Sequence, residues 1–339
     1  MKFPEEKRRH LQDQLLEWYH QHSRDLPWRV DTEPYRVAVS EFMLQQTQVK
    51  TVIPYFNRFM QRFPDWRALH EADEEDVLKA WEGLGYYRRA RLLKQLASAI
   101  VVDLKGEIPN SREALLKLPG LGPYTAAAIA SIAFQQAVGV VDGNVYRVMS
   151  RVFDLDWDIS LSASKRSFQT LADQWVSPSQ PGDFNQAAME LGATVCSPTK
   201  PDCARCPICD LCEIRVNGLE PETRPVKSKR TKVRREIIHW AWLEHEKRLL
   251  LIRRPASGLM ANFWELPTLQ GIEIKNLTKV DGPQFDYKYS HIHATYKLVR
   301  LEAEASHLFP NASTWLSAKQ INELSLTGAA RKAIKLMDF

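Results

Sequence analysis

No apolar run in this 339-residue chain approaches the length of a membrane span, and Met1–His10 is charged where a secretory leader would be apolar. A membrane helix and a signal peptide are therefore not expected, and the cytosol is the default compartment. Cysteine is scarce: five residues, all between Cys196 and Cys212. A cytosolic thiol pool would keep so few cysteines reduced, which argues against a disulfide framework. Residues 5 to about 215 lack the apolar–polar alternation of strands. Internal repeats and low-complexity tracts are absent, which excludes a solenoid and a disordered chain. Charge is not strongly one-sided. The net value is +5, with 44% hydrophobic and 26% charged residues, as in ordinary soluble domains.

What is present divides into two parts, for which the length suffices. Residues 5 to about 215 read as successive amphipathic helices. Their apolar stripes include Leu11, Leu15, Leu16 and Tyr19; Val52, Tyr55, Phe56 and Phe59; and Leu92, Leu93, Leu96 and Ile100. Breaks are expected at Pro27, Pro64, Gly83–Gly85, Pro109 and Pro119–Gly122. Residues 216–235 read as a linker. Seven Lys or Arg and no acid stand between Arg224 and Arg235, a solvated run or a contact for a polyanion. Beyond it, Ile237–Leu243 and Leu249–Arg253 flank a His-Glu-Lys turn as a hairpin. Ala294–Ala303 reads as a further strand and Ala318–Met337 as a closing helix. The expected fold is multi-domain: an all-α domain over 1–215, then a smaller α+β domain over 236–339.

Several constellations carry chemistry. Cys196, Cys203, Cys206 and Cys212 are separated by six, two and five residues, a spacing open to zinc or to an iron–sulfur cluster. Leu118-Pro-Gly-Leu-Gly-Pro-Tyr-Thr125 is a tight glycine turn before a small-residue helix. Gly120 and Gly122 let backbone N–H groups approach an anion, and Pro123 suits the first helical turn. The ordinary reading is an interhelical turn. In Val140-Val-Asp-Gly-Asn144, Asp142 follows an apolar run and suits a pocket wall, a helix N-cap, or both. Val37, Glu41, Leu44 and Gln48 share one helical face. A Glu on a partly apolar stripe has its pKa raised, as a general acid needs; the ordinary reading is a solvated stripe edge.

Glycine hairpin, downstream Asp and terminal four-Cys loop, in this order, resemble the endonuclease III superfamily of base-excision glycosylases. The finer resemblance is to the adenine DNA glycosylase (MutY) family. Leu26-Pro-Trp-Arg29, Ser40-Glu-Phe-Met-Leu-Gln-Gln-Thr47, Gly83-Leu-Gly-Tyr-Tyr87, Val141-Asp-Gly-Asn144 and Phe184-Asn-Gln-Ala187 look like that family's segments. The likeness is dense over about 10–215 and sparse beyond. It implies a helix-hairpin-helix fold and a [4Fe–4S] cluster on Cys196, Cys203, Cys206 and Cys212, fixing a basic loop with Lys200 and Arg205 against DNA. Cys209 is extra, creating a ferredoxin-like run, and is expected to be a bystander or a poor substitute ligand.

The resemblance also implies roles. Glu41 would protonate N7 of adenine and later activate water. Asp142 would stabilise the cationic sugar, and Tyr124, Asn144 and Glu190 would orient the pair. Trp28 and Arg29 would line a pocket for the flipped base, with Leu44 and Thr47 contributing to substrate binding. Gln46 and Tyr86 would fill the vacated stack, and Gly120 and Gly122 would hold a phosphate. Lyases of the superfamily carry Lys where this chain has Tyr124, so a monofunctional glycosylase is expected.

In the second domain, Leu249–Pro255, Gly258–Pro267 and Tyr289-Ser-His291 look like landmarks of a Nudix-like domain that senses 8-oxoguanine. Tyr289 replaces the family's usual Phe, and no Nudix acidic box follows Gly271, so recognition without pyrophosphatase activity is expected. Tyr289, Ser290 and His291 would read the base opposite adenine. The implied partner is double-stranded DNA with A:8-oxoguanine or A:G mispairs, bound by a monomer with no membrane contact, in the cytoplasm at the nucleoid. Two other readings compete. One is a bifunctional endonuclease III-like glycosylase/lyase for oxidised pyrimidines, which Tyr124 and the appended domain disfavour. The other is a non-catalytic iron–sulfur DNA-binding protein, which has no need of both Glu41 and Asp142.

Overall fold

Leu11, Leu15, Leu16 and Tyr19 form the buried side of the first helix, α1 (Glu5–His22), in the computed structural model. The structure describes residues 4–228, 234–256, 258, 260–272, 279–289, 292–309 and 313–339. The helices that follow are α2 (Pro34–Leu44), α3 (Val49–Arg62), α4 (Trp66–Glu71), α5 (Glu74–Ala80), α6 (Arg88–Ser98), α7 (Arg112–Leu115), α8 (Pro123–Phe134), α9 (Gly143–Val152), α10 (Ser162–Trp175), α11 (Pro181–Thr194) and the short α12 (Glu213–Val216). Two compact units emerge: Met1–Ala72 with Arg89–Lys229, and Asp73–Arg88 with Arg230–Phe339. Helix α5 and the loop after it thus belong to the second unit.

In the first unit, local chemistry sets the helix starts. Pro34 occupies the first turn of α2, and the Glu33 side chain accepts from the Arg36 N–H at 3.0 Å. Helix α2 packs on α8, whose buried Ala126–Ala130 run keeps the side chains between them small. Helix α11 touches α1, α8 and α9. Leu15, Val148, Met149, Phe168, Trp175, Phe184 and Leu191 share one core, each side chain contributing about 1.5–3 kcal/mol by leaving water.

Gln48 departs from the expected face, because α2 stops at Leu44 and Gln48 instead stands at the N-cap position of α3, without a side-chain capping bond. Buried Arg89 explains the stop. Its Nη1 donates to the carbonyls of Phe42, Met43 and Gln45 at 2.8, 2.8 and 2.5 Å, satisfying acceptors that a helix end leaves open. Part of the segment read as a linker is docked on this unit. The Ile159 N–H donates to the Val226 carbonyl at 3.1 Å, and Arg224 pairs with Asp154 at 2.8 Å.

The second unit carries a six-stranded sheet. Strand β1 (Arg234–His245) turns antiparallel into β2 (Arg248–Arg253), the expected hairpin. The others are β3 (Trp264–Glu265), β4 (Lys279–Lys288), β5 (Ile292–Leu301) and β6 (Ser313–Ser317). Their order is β3-β2-β1-β5-β4, with β6 also on β2; β1 and β5 run parallel. Period two is plain along β1. Trp240 and Trp242 join one core with Leu249, Tyr296 and Leu298, while Ala241 and Leu243 join the opposite core with Leu250 and Val299. The closing helix is two helices, α13 (Ala318–Glu323) and α14 (Gly328–Leu336). The break has local causes: Leu326 bridges to Trp264, and the Thr327 side chain caps α14 by accepting from the Ala330 N–H.

Candidate active site

The glycine hairpin puts Tyr124 within reach of Glu41. Gly120 has φ +76°, and a Cβ there would stand 2.8 Å from Leu92 Cβ, so only glycine fits the turn. Gly122 then caps α8, with Pro123 at its first position. At the second position of that helix, the Tyr124 hydroxyl donates to Glu41 Oε2 in a very short hydrogen bond. Glu41 is only 5% exposed, so the solvated stripe-edge reading falls. Burial pushes its carboxyl up to about 7. The Tyr124 bond and Arg29 oppose that shift, and the Asp142 charge adds to it. Such a group holds a proton near neutral pH and can release it.

Asp142 combines both readings of its sequence. It caps α9, Oδ1 accepting from the Val145 N–H at 2.7 Å. Oδ2 accepts from Asn144 Nδ2 at 2.9 Å. Asn144 Oδ1 accepts in turn from Arg147 Nη2 at 3.0 Å. Burial raises the Asp142 carboxyl above its ordinary value, while these donors and the Arg147 charge hold it back towards the anion. Helix α11 passes close beside Asn144: a Cβ on Gly192 would stand 2.6 Å from Asn144 Cβ.

Glu41, Asp142, Tyr124 and Asn144 line one cavity of about 170 Å³ with Trp28, Arg29, Leu44, Thr47 and Glu190. Glu190 is buried, only 1% exposed. Its oxygens accept from Arg24 Nε at 2.5 Å, Arg24 Nη2 at 2.9 Å and Arg29 Nη2 at 2.9 Å. Burial pushes this carboxyl up, but the two arginines outweigh it and hold it below its ordinary value. Trp28 is buried edge-on against Phe56, with ring centroids 5.4 Å apart. Thr47 Oγ1 accepts from Arg89 Nη2 at 3.1 Å.

The remaining expected residues lie elsewhere. Gln46 is exposed at the end of α2 with φ +58°, and Gly122 is exposed at the hairpin. In the second unit, Tyr86 is 41% exposed and has φ +51°, a strained backbone for a bulky aromatic. The Tyr289 hydroxyl is 2.6 Å from that of Tyr296. Ser290 and His291 lie outside the described residues.

All five cysteines line a second cavity of the first unit, with Arg151, Ile208, Ile214 and Arg215. Cys209 is therefore part of the wall and not remote from the other four. Among the described residues, no three His, Cys, Asp or Glu side chains converge on a single ion-sized point. Burial pushes the Cys206 thiol up to about 12 and raises those of Cys203 and Cys212, so thiolates there need positive charge beside them. Arg151 Nη1 donates to Cys196 Sγ at 3.3 Å, and Arg147 Nε to the Cys196 carbonyl at 2.7 Å. Exposed Lys200 and Arg205 sit on the same loop.

Sequence reasoning missed Arg24, Arg89 and Arg147. Arg24 stands two residues before Leu26-Pro-Trp-Arg29, a weak signal, because only the structure shows that Glu190 is buried and in need of cationic partners. Arg89 and Arg147 carried none, because their acceptors are mostly backbone carbonyls.

A profile described as "HhH-GPD superfamily base excision DNA repair protein" matches residues 39–175, and one described as "NUDIX domain" matches 239–336. The structure of a thermostable thymine-DNA glycosylase is 30% identical with TM-score 0.57, covering 62% of this chain and 98% of that one. An endonuclease III in a non-covalent DNA complex shares the fold at 22% identity and TM-score 0.53, over 64% and 99% of the two chains. Fold and site thus define a DNA glycosylase of the helix-hairpin-helix base excision class. The adenine DNA glycosylase of Homo sapiens is 36% identical over 95% of this chain and 73% of its own length. That of Arabidopsis thaliana is 39% identical, over 79% and 48%. The chain belongs to the adenine DNA glycosylase family. Among the described residues, no helix is long and apolar enough to cross a membrane.

Proposed function

We propose that the chain excises adenine mispaired with 8-oxoguanine or guanine in double-stranded DNA, hydrolysing the N-glycosidic bond without cutting the strand. The observation that carries this reading is the pairing in one cavity of two buried carboxyls with different partners. Glu41 has a carboxyl pushed up to about 7 and Tyr124 on one oxygen, while Asp142 is tied to N–H donors. A flipped adenine entering the cavity would take the Glu41 proton on N7 and leave C1′ as a neutral base. The C1′–N9 electron pair goes with the base, and Asp142 stabilises the sugar cation that remains. Water then adds to C1′ and returns a proton to Glu41. Asn144 holds Asp142 in place, and Glu190 fixes Arg24 and Arg29 at the pocket wall beside Trp28.

Tyr124 offers no amine for a Schiff base, which supports a monofunctional enzyme over a lyase. The test is incubation with an A:8-oxoguanine duplex. Adenine release with strand breaks only after alkali supports the reading; breaks without alkali point to a lyase, and no release points to a binder. The work would be done by a monomer in the cytoplasm, at the nucleoid. Gly120 and Gly122 would hold a phosphate, and Gln46 and Tyr86 would enter the stack; exposure and the Tyr86 strain support the latter pair.

The cysteine cavity fits a [4Fe–4S] cluster on Cys196, Cys203, Cys206 and Cys212. Thiols spread around a wall, beside two arginines, suit a group with several metal atoms better than one tetrahedral ion. Such a cluster would supply a rigid, electrostatic anchor for the loop of Lys200 and Arg205. Protein purified without oxygen is expected to be brown, with about four irons per chain. Cys209→Ser should keep the iron and the visible absorption, and Cys212→Ser should lose or weaken both. The reverse pattern would make Cys209 the fourth ligand, and tightly bound zinc would replace the cluster reading.

Tyr289, Ser290 and His291 would read the opposite base, since excision from A:T pairs would be mutagenic. 8-Oxoguanine differs from guanine by an N7 hydrogen and an O8 oxygen, within the reach of Ser and His side chains. Replacing Ser290 and His291 together by Ala should reduce discrimination for A:8-oxoguanine over A:G by about 1–3 kcal/mol, the worth of good base-edge contacts. Single-turnover rates on both duplexes measure it. Equal losses would indicate a general defect, and no loss would remove the triplet from the site.

A further inference from the structure

The loop Trp81–Tyr87 lies in the middle of the helical sequence, yet its contacts place it in the second unit. It is braced internally: Trp81 Nε1 donates to the Gly85 carbonyl at 3.2 Å, and the Gly83 N–H to the Tyr87 hydroxyl at 3.3 Å. Gly83, Gly85 and Tyr86 all take positive φ, at 98°, 73° and 51°. Glycine takes such angles freely, so the strain lies at Tyr86, and it persists only where its surroundings over-determine it.

Those surroundings come from the C-terminal part of the chain. The buried Tyr87 ring packs on the wholly buried Phe263, with centroids 4.2 Å apart. Arg331 of α14 forms a very short ion pair with Glu82, and Lys79 Nζ donates to the Asn322 carbonyl at 2.6 Å. Burial pushes the Tyr87 hydroxyl up to about 12, the Gly83 N–H opposes that, and Glu82, Tyr287 and Arg331 act on it as nearby charges. Tyr287 is the next step. A Cβ on Gly328, at the start of α14, would stand 2.0 Å from its hydroxyl, and its ring is 5.1 Å from that of Tyr289. Strand β4, which leads to the Tyr289 triplet, therefore packs on the helix that holds Glu82.

We propose that Arg331 and Phe263 are positioning residues for Tyr86, so that the stack-entering aromatic and the opposite-base reader are carried by one unit. Recognition of the opposite base and distortion of the stack then become one event: a duplex that seats the Tyr289 strand also presents Tyr86 to the helix. The inference rests on the reading of Tyr86 as a stack-entering residue. The bulk of Tyr87 and Phe263 gives the loop its stiffness. Arg331 is the member of the Glu82–Arg331 pair that can be altered without opening a core, since its side chain is 46% exposed against 18% for Glu82, which Lys79 also reaches at 3.4 Å.

The experiment uses the full chain with 2-aminopurine beside the target adenine in an A:8-oxoguanine duplex. Fluorescence on binding reads stack distortion, and single-turnover excision is followed in parallel. Arg331→Glu and Glu82→Arg should each slow excision about tenfold, a change of about 1.4 kcal/mol, and reduce the fluorescence rise. The double charge reversal, made in a Lys79→Gln background that removes the second cation beside position 82, restores the attraction and should recover both signals to within about twofold of that background, with unchanged melting temperature. A double variant no better than the singles, or singles that leave the fluorescence intact, overturns the proposal. Tyr86→Ala is measured alongside. If it is harmless, the stack-entering reading itself falls and the proposal with it. If it is harmful while the charge reversals are harmless, only the positioning claim falls.

Discussion

Glu41→Gln should lower single-turnover adenine excision by about 10²–10⁴-fold while leaving DNA affinity unchanged, the usual scale for losing a general acid. Gln keeps the shape and can still accept the Tyr124 hydrogen bond, but it carries no proton for N7. The wild-type rate should also fall as pH rises through about 7, because the carboxyl that burial pushes up to about 7 loses its donor form there. Stability has a matching sign. The carboxyl's folded value lies above its ordinary 4.5, so the fold favours the neutral acid. That contribution is complete below about 4.5 and is lost as pH climbs through about 7. Glu41→Gln removes this loss, so its melting temperature should exceed the wild type's at pH 8 by more than at pH 5. Undiminished excision in the variant, or a wild-type rate flat from pH 5 to 9, would reject Glu41 as the acid.

Asp142→Asn should reduce excision by at least about 10²–10³-fold, the range for removing one preorganised electrostatic partner of a transition state. The fold should survive, because Asn caps a helix as well as Asp does and can accept from the Val145 N–H. What disappears is the negative charge facing the sugar cation, together with the acceptor for Asn144 Nδ2. Rapid-quench excision and a binding isotherm on an uncleavable duplex separate the two effects. Full excision activity would take Asp142 out of the chemistry. Loss of binding equal to loss of rate would recast it as a structural cap alone.

Much of the helical unit was legible, because apolar residues at helical spacing must bury one face, and they do: Leu11, Leu15, Val52, Phe56, Leu93 and Leu96 are all in the core. Asp142 as cap and pocket wall was legible too, since both follow from an Asp placed between an apolar run and a helix. The reading failed where long-range contacts decide. Gln48 left the Glu41 face because Arg89, some forty residues away, ends α2 there. The single closing helix became two because Thr327 caps and Leu326 bridges to Trp264. Neither event leaves a mark in local periodicity.

The sequence alone determined the repertoire: two carboxyls, a tyrosine at the hairpin where an amine would be needed for lyase chemistry, five thiols in one short segment, and the order of helical and sheet domains. These follow from residue identity and short-range spacing, which survive in one dimension. Tertiary structure decided the rest. It took Glu41 out of water and so gave it a proton near neutral pH, set Arg24 and Arg29 on Glu190, tied Asp142 through Asn144 to Arg147, and drew the Tyr86 loop into the C-terminal unit. Each of these depends on desolvation or on partners far apart in the chain, and such quantities exist only once the chain is folded.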